Sequence, residues 1–440
     1  MDKKFLLIGE VFVDILMNIE EGYNHFSRLG GIFHAARAFS SMSIDYSLAF
    51  FSPQYLLSSI RTFSKELNAK AYYCLGIIDG SPNTMIIGAP SEAGNQDYIN
   101  PLCEQVQYSD EVDGIIDFIK QERITDVLFF PGRYDNLRIL NVLEHCNVRV
   151  HIDLHYDFDS IIKESFSSVY TVFTSTSSFL FQKVCNASVI DLQNICLKLG
   201  AKELVLKENR GGSRFFLLSD GKTSFGKAFS VKTLHSVGVG DVFDSVFLAL
   251  SESDVESKLT IASAVSASYA STIDFSFYKD GVKTILSNSG TYGQLQGIIL
   301  PWEEREKISI YLAAPDFPGV NKKHLNDVKD CLTYHNFRVR LPIQENGLIT
   351  DKCTKEDAAK CFYDDLSLLE ESRLLVAVVL NNDPGMYVEL GMFITSGKPT
   401  IIYDPDCLCN NSFVLHAPNV VCRTLSELID NTFRVLGEKR

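Results

Sequence analysis

No apolar stretch among the 440 residues approaches the roughly 20 that a bilayer span needs. Residues 5–9, which precede Glu10, are too few for the apolar core of an export signal. Membrane insertion and secretion are therefore not expected, and a cytoplasmic location is. A formal charge of −14 supplies no basic stripe for a phosphate backbone, so small molecules rather than nucleic acids are the expected partners. The eleven cysteines are an odd number without framework spacing, which fits a reducing compartment. Cys407 and Cys409 form the one close pair, and no second Cys or His pair stands at zinc-site spacing, so no metal site is assigned. Repeats and low-complexity blocks are absent.

What is present is globular. Hydrophobic residues make up 46% and charged residues 22%, enough apolar material for two cores, and the length exceeds what one core usually serves. Short β-branched or aromatic runs at 5–9, 47–51, 126–130, 148–153, 169–174 and 203–207 read as strands with helical patterns between most of them, the mark of a mainly parallel sheet. Residues 72–77 and 84–88 flank Asp79-Gly-Ser-Pro82 and read as an antiparallel excursion, a candidate lid or interface. A boundary shows near residues 287–293, followed by Pro301 and a charged run at 303–307. From residue 308 a second strand–helix alternation runs through strands at 308–313, 337–341, 374–380 and 400–403. The expected fold is α/β with two doubly wound domains: residues 1–297 with a small β lid, a linker at 298–307, and a smaller flavodoxin-like or Rossmann-like domain at 308–440.

In the first domain, His235-Ser-Val-Gly238-Val-Gly240-Asp241-Val-Phe243 opens a helical run at 242–250. Glycines at 238 and 240 let backbone N–H groups turn inward at a helix N-terminus, where the dipole favours an anion. A transferring phosphoryl group needs such donors, and a neighbouring carboxylate can take the proton of an attacking hydroxyl. An ordinary loop-to-helix entry would look the same in isolation. This segment resembles the glycine–aspartate signature of the ribokinase (PfkB) carbohydrate kinases. Residues 6–14, ending in Asp14, resemble that family's first strand and sugar-binding Asp, and Leu29-Gly30-Gly31-Ile-Phe-His34-Ala35 resembles its di-glycine motif. The resemblance covers about residues 1–295. It implies a ribokinase-like fold, with Asp241 as catalytic base, the backbone of Gly238, Val239 and Gly240 as the anion hole for an ATP phosphate, Asp14, Gly30 and Gly31 holding the acceptor, and ATP with Mg²⁺ as cofactors. The chain departs from the family pattern at His235, Val239 and Ala35. It has no N-x-x-E near 175–178, and Lys207-Glu-Asn209-Arg-Gly-Gly212 stands where a T-x-G-x-x-G nucleotide motif belongs. Binding without turnover is the alternative these departures raise.

The second domain presents three acidic segments: Tyr311-Leu-Ala-Ala-Pro315-Asp316, Tyr363-Asp364-Asp365, and Asp383-Pro-Gly385-Met-Tyr-Val-Glu389-Leu-Gly391. In a doubly wound sheet the strand C-termini share one crevice, so Tyr311, Asp383 and Glu389 can meet there. Glu389 falls one helical turn beyond Gly385, and the glycines at 385 and 391 leave room beside it. A lone acidic residue on a surface helix is more often simply solvated. Residues 308–425 resemble the nucleoside 2-deoxyribosyltransferases, with acidic positions intact. The resemblance implies Glu389 as nucleophile, Tyr311 as its orienter, Asp365 (with Asp364 its neighbour) as the acid toward the departing base, and Asp383 on a sugar hydroxyl. It also implies substrate contacts near Asp316 and Gly385, and an Asn from a neighbouring subunit, for which Asn411 is the nearest match. A homo-oligomer follows, with no cofactor for this domain. Attack on the glycosyl ester by a base gives transfer, whereas attack by water gives N-glycosidase activity. Hydrolysis of nucleoside 5′-monophosphates is a further branch, against which the anionic Asp316 weighs.

His151 and His155 alternate on one stretch without a third ligand and read as packing, and Trp302, the one tryptophan, reads as an anchor. The expected function is a nucleoside-metabolising fusion of a base-cleaving or base-exchanging domain with a kinase for a sugar or nucleoside. The alternative keeps the first domain as a ligand-sensing or oligomerising module without catalysis.

Overall fold

A computed structural model describes residues 3–20, 23–80, 82–88, 98–101, 107–251, 254–347 and 353–437. The described chain falls into two compact units, one within residues 3–299 and the other within residues 300–437.

The first unit is built on a ten-stranded sheet. In spatial order its strands are Lys222–Gly226, Ser213–Leu217, Glu203–Lys207, Val169–Ser175, Arg149–Asp153, Asp126–Phe129, Phe5–Glu10, Tyr46–Ser52, Tyr72–Asp79 and Gln107–Asp110. The seven from Glu203–Lys207 to Tyr72–Asp79 are parallel, and antiparallel strands flank them on each side. Strand order reverses between Phe5–Glu10 and Asp126–Phe129, so the crevice of the doubly wound sheet opens beyond Glu10. Both sheet faces are covered, which is why Phe5, Leu6, Leu7 and Ile8 are all buried without alternation.

A separate four-stranded sheet, in the order Tyr23–Leu29, Val13–Glu20, Thr84–Ile87 and Tyr98–Ile99, leaves the main one just after Glu10. It corrects the antiparallel excursion read at 72–88. Tyr72–Asp79 joins the main sheet, while Thr84–Ile87 pairs in parallel with Val13–Leu16. Ser81 in the intervening turn lies outside the described residues. This smaller sheet carries Asp14 and approaches the glycine motif, where the Tyr98 hydroxyl lies 3.3 Å from Ser236 Oγ.

Helix Ile32–Ser41 starts at Gly31, which has φ 60° and ψ −133°. A Cβ there would lie 2.1 Å from the main-chain oxygen of Glu10. Backbone cannot yield as a flexible side chain can, so Gly31→Ala is expected to cost about 3 kcal/mol or more, combining a glycine-only conformation with a clash. Calorimetry of the full chain should show the transition of this unit lowered by roughly 6–10 °C. A shift of a degree or less would contradict this account of the position.

The second unit has a five-stranded, wholly parallel sheet in the order Arg338–Arg340, Ser309–Ala313, Leu374–Val378, Thr400–Tyr403 and Val420–Cys422. The first of these in sequence sits second in space, so the strand order is 2-1-3-4-5 and the switch point lies between Ser309–Ala313 and Leu374–Val378. Residues 300–307 pack within this unit, where Trp302 and Arg305 are buried and Arg305 Nε donates to Leu300 O. Local chemistry fixes the helices that carry the acidic residues. Thr354 and Asp357 form a reciprocal capping box for Lys355–Glu371, and Asp383 caps Pro384–Thr395 with Pro384 in the first turn.

Candidate functional site

At the switch point of the second unit, Tyr311 stands on the central strand Ser309–Ala313, fully buried among Leu375, Met386, Leu390 and Phe393. Its hydroxyl donates to Glu389 Oε1 over 2.8 Å. Glu389 lies in helix Pro384–Thr395, whose start is fixed by Asp383 Oδ2 accepting from Met386 N at 2.9 Å. Burial raises the Glu389 carboxyl to about 7. The Tyr311 hydrogen bond works against that rise, and the charges of Asp365 and Asp383 add to it. Burial also raises the Tyr311 phenol, with Glu389 adding to the effect.

Asp365 comes from the other side, in helix Lys355–Glu371. Burial raises its carboxyl, which Asn346 holds by donating from Nδ2 to Oδ1 at 2.8 Å. Cys361, one turn earlier on the same helix, reaches Asp365 Oδ2 at 3.8 Å. Tyr311, Asp365, Asp383 and Glu389 are thus within one electrostatic neighbourhood, whereas Asp364 belongs to it only through its effect on Asp365. A Cβ on Gly385 would lie 3.4 Å from the Asp383 carboxyl, in ordinary contact, and one on Gly391 would meet nothing within 4 Å among the described residues.

Asp316 is buried and forms an ion pair with Lys322, while Gln344 donates to its Oδ2 at 3.3 Å. The anionic character read for that loop is therefore offset. Asn411 is exposed and spends its side-chain oxygen on Phe413 N at 2.9 Å, capping the short helix Ser412–His416. Asn346 and Lys322 were not singled out in the sequence. Their one signal was position, at the ends of the turns that follow the first two strands of the unit.

In the first unit the glycine motif begins earlier than its pattern suggested. Helix Val239–Ala249 starts at Val239, with Gly238 as its left-handed cap at φ 72°, so Gly240 and Asp241 stand in its first turn. Burial raises the Asp241 carboxyl to about 7, with Asp153 and Asp14 adding to the rise and Lys207 opposing it. Lys207 ends strand Glu203–Lys207 and bonds Asp153 Oδ2 at 3.2 Å and both oxygens of Asp244 at 2.9 Å. Its ammonium would lie 3.2 Å from a Cβ on Gly240. The cap and the helix N-terminus suit phosphate oxygens, while the ammonium spends its three N–H groups on Asp153 and Asp244. A Mg²⁺ ion carried with a nucleotide takes one or two carboxylates and the phosphates themselves, and the carboxylates that lie beside this helix start are Asp241, Asp153 and Asp244, the last two paired with Lys207.

Asp14, on the lid strand, lies 3.0 Å from His34 Nε2, and His34 Nδ1 meets the Tyr269 hydroxyl at 2.8 Å. Gly30 has no room for a side chain, since a Cβ would fall 2.1 Å from Asp14 Oδ1. Gly238 packs equally tightly on His34, with a Cβ placed 2.1 Å from its Cγ. His34 therefore fills the space that joins the acceptor motif to the anion hole. His151 pairs with Asp126 at 3.2 Å and His155 meets Ser175 Oγ at 3.4 Å, which accounts for both as structural contacts.

A buried carboxylate bonded by a tyrosine hydroxyl, with a second carboxyl raised by burial in the same field at a parallel-sheet switch point, is an arrangement capable of nucleophilic substitution with proton transfer to a leaving group. Residues 310–415 match the family model described as nucleoside 2-deoxyribosyltransferase. For the first unit the likeness is to solved kinases. Ribokinase from Thermotoga maritima is 14% identical over 64% of this chain and 99% of its own, with a TM-score of 0.47. Arabidopsis thaliana ribokinase complexed with ribose and ATP is 13% identical over 65% and 99%, with a TM-score of 0.48. A ribokinase II from E. coli in complex with ATP and Mg²⁺ is 12% identical over 67% and 99%, also at 0.48. No curated protein matches the chain in sequence.

Proposed function

We propose that the second unit cleaves or exchanges the N-glycosidic bond of a nucleoside or nucleotide through a covalent ester on Glu389. The observation that carries this reading is the 2.8 Å bond from Tyr311 to Glu389, with Asp365 and Asp383 in the same field. An oxygen of Glu389 attacks the anomeric carbon, the bond from that carbon to the base nitrogen breaks, and the electron pair leaves with the base. Asp365 supplies the proton that the base takes. Asp383 commits Oδ2 to its helix and keeps Oδ1 for a sugar hydroxyl. A second base then attacks the same carbon, the bond from that carbon to Glu389 breaks with its electron pair returning to the carboxylate, and the proton of the incoming base passes to Asp365, which gives transfer; water attacking in the same way gives hydrolysis. No cofactor is required. A homo-oligomer is part of the proposal, in which Asn411 of the partner subunit completes the sugar site; Phe413 beside it is 82% exposed and Tyr363 67%. The Lys322–Asp316 pair favours a second branch, hydrolysis of nucleoside 5′-monophosphates, because it removes the net negative charge from the first loop.

The productive form carries a proton on Asp365 and none on Glu389. The dependence of kcat/KM on pH is therefore expected to be bell-shaped, with one limb near 7, failing at low pH where both carboxyls are protonated and at high pH where both are ionised. A rate that climbs without a maximum to pH 9 would remove the acid role of Asp365.

For the first unit we propose ATP-dependent phosphorylation of a sugar or nucleoside hydroxyl, with Asp241 as base and the backbone of Gly238, Val239 and Gly240 as anion hole. Bound ATP would supply the phosphoryl group. The position of His34 supports the other reading, a binding module without turnover. Mass spectrometry of a nucleoside and nucleotide panel incubated with the full chain, with and without ATP, tests both units. Base release or exchange is expected without ATP, and its absence from the whole panel would refute the reading of the second unit.

A further inference from the structure

Arg28 lies directly across the lid hairpin from Asp14. Its side chain is 8% exposed, and its Nε is 3.9 Å from Asp14 Oδ2, beyond hydrogen-bond reach. Nε and Nη2 are both buried and find no acceptor among the described residues. The guanidinium carbon lies 5.1 Å from the centre of the Tyr269 ring, which offers a π face but no oxygen in line with those N–H groups. Arg37, also buried, donates to the main-chain oxygens of Phe33 at 3.1 Å and Leu29 at 2.8 Å, which are neutral partners. Asp14 is thus one carboxylate facing two guanidiniums. The two imidazoles of the cluster stay uncharged, because burial holds His34 at about 4 and His235 at about 3. The next carboxylate, Asp241, shares its field with Lys207.

A buried N–H left without an acceptor has lost its water and gained nothing in exchange, and a guanidinium presents its donors in a planar fork that matches a carboxylate or a phosphate. Unpaired donors of this kind, in a charge cluster short of one anion, call for an acceptor from outside the chain. Arg133 repeats the pattern at the crevice. It pairs with Glu10 at 3.1 Å and stacks over Phe12 at 5.8 Å, and its Nη1 is buried without an acceptor among the described residues. Phe12 in turn lies where a Cβ on Gly31 would touch it.

We propose that Asp14, Gly30, Gly31 and Arg28 bind a small polyhydroxylated molecule bearing a carboxylate or phosphate, with Arg28 on the anionic group and Asp14 accepting from a hydroxyl. This rests on reading the Asp14 and di-glycine region as a small-molecule site, and it holds whether or not the first unit transfers phosphate. Two sources share that chemistry. One is a sugar acid, and the other is a sugar phosphate of the kind that hydrolysis of a nucleoside monophosphate would leave.

Calorimetric titration of the full chain without ATP separates these cases and is independent of any kinase turnover. The probes are ribose, ribose 5-phosphate, gluconate and inorganic phosphate, each run on the native chain, Arg28→Gln and Arg28→Lys. One of the two anionic sugars is expected to bind at least tenfold more tightly than both ribose and inorganic phosphate, and which one it is identifies the source. That preference is expected to fall tenfold or more in Arg28→Gln and to be partly kept in Arg28→Lys. The proposal is overturned if ribose or bare phosphate binds as tightly as the better of the two anionic sugars, if none binds, or if the preference survives loss of the Arg28 fork. Should Arg28→Gln fail to fold, the ligand ranking on the native chain and on Arg28→Lys still decides.

Discussion

Glu389→Ala is expected to lower base release or exchange by at least about 10³-fold while leaving the second unit folded. The loss follows from the role of nucleophile proposed for the residue. It alone among the neighbouring carboxyls has a tyrosine hydroxyl at 2.8 Å to fix its direction, and without it the anomeric carbon has no enzyme oxygen to accept. Glu389→Gln separates chemistry from stability. Burial places the folded Glu389 above its ordinary 4.5, at about 7, so ionising it in the folded protein is unfavourable. That penalty is absent below about 4.5, grows as the pH rises, and is complete above about 7. The Gln variant is therefore expected to melt higher than the native protein at pH 8, by ~2 kcal/mol after allowance for partial exposure, and level with it at pH 4. An inactive but stabilised variant is the signature of a group held for reaction rather than for folding. Activity that persists within tenfold in both variants would show that another group attacks.

The legibility of this site in the sequence has a physical basis. Tyr311, Asp383 and Glu389 sit in or just after strands whose apolar runs are continuous, so the sheet's own rule placed them at one crevice before any contact was known. Asp365 was readable by position in a helix, but its neighbour Asn346 was not. Asn346 ends a five-residue helix that follows a three-residue strand, both too short for any periodicity to reveal, and its role depends on a contact 19 positions away. The five-stranded order also gained an edge, Val420–Cys422, that three residues could not announce.

The first unit shows the opposite balance. Its central strands were plain because burial on both faces leaves no alternation to misread. The lid was not. Residues 13–20 and 23–29 carry mixed polar and apolar residues, and the first of these strands pairs with Thr84–Ile87, a partner distant in sequence, whereas period and turn chemistry point to a local hairpin at 72–88 instead. The cost was functional as well as topological, for Arg28 faces Asp14 only through that ladder. His34 was visible within the di-glycine motif, yet nothing in the motif indicates that its ring spans from Asp14 to Gly238.

That ring makes Asp241→Asn the decisive variant for the first unit, with an expected loss of about 10²- to 10⁴-fold in phosphoryl transfer. The argument for the loss is electrostatic. Asp241 stands in the first turn of helix Val239–Ala249 beside the left-handed cap at Gly238, and burial holds its carboxyl at about 7, a value suited to taking a proton from a hydroxyl at neutral pH. Transfer is accordingly expected to increase with pH through about 7 in the native chain, as Asp241 ionises, and Asp241→Asn is expected to abolish that increase together with the rate. The amide keeps the size and the helix position, so ligand binding at Arg28 should change far less than turnover. If native transfer is measurable and Asp241→Asn matches it, the base lies elsewhere. If the native chain binds its anionic ligand and transfers nothing to it, His34 is the residue to remove. His34→Ala places a small side chain beside Gly238 and frees Asp14, and phosphoryl transfer that appears only in that variant would identify the first unit as a kinase scaffold turned to sensing.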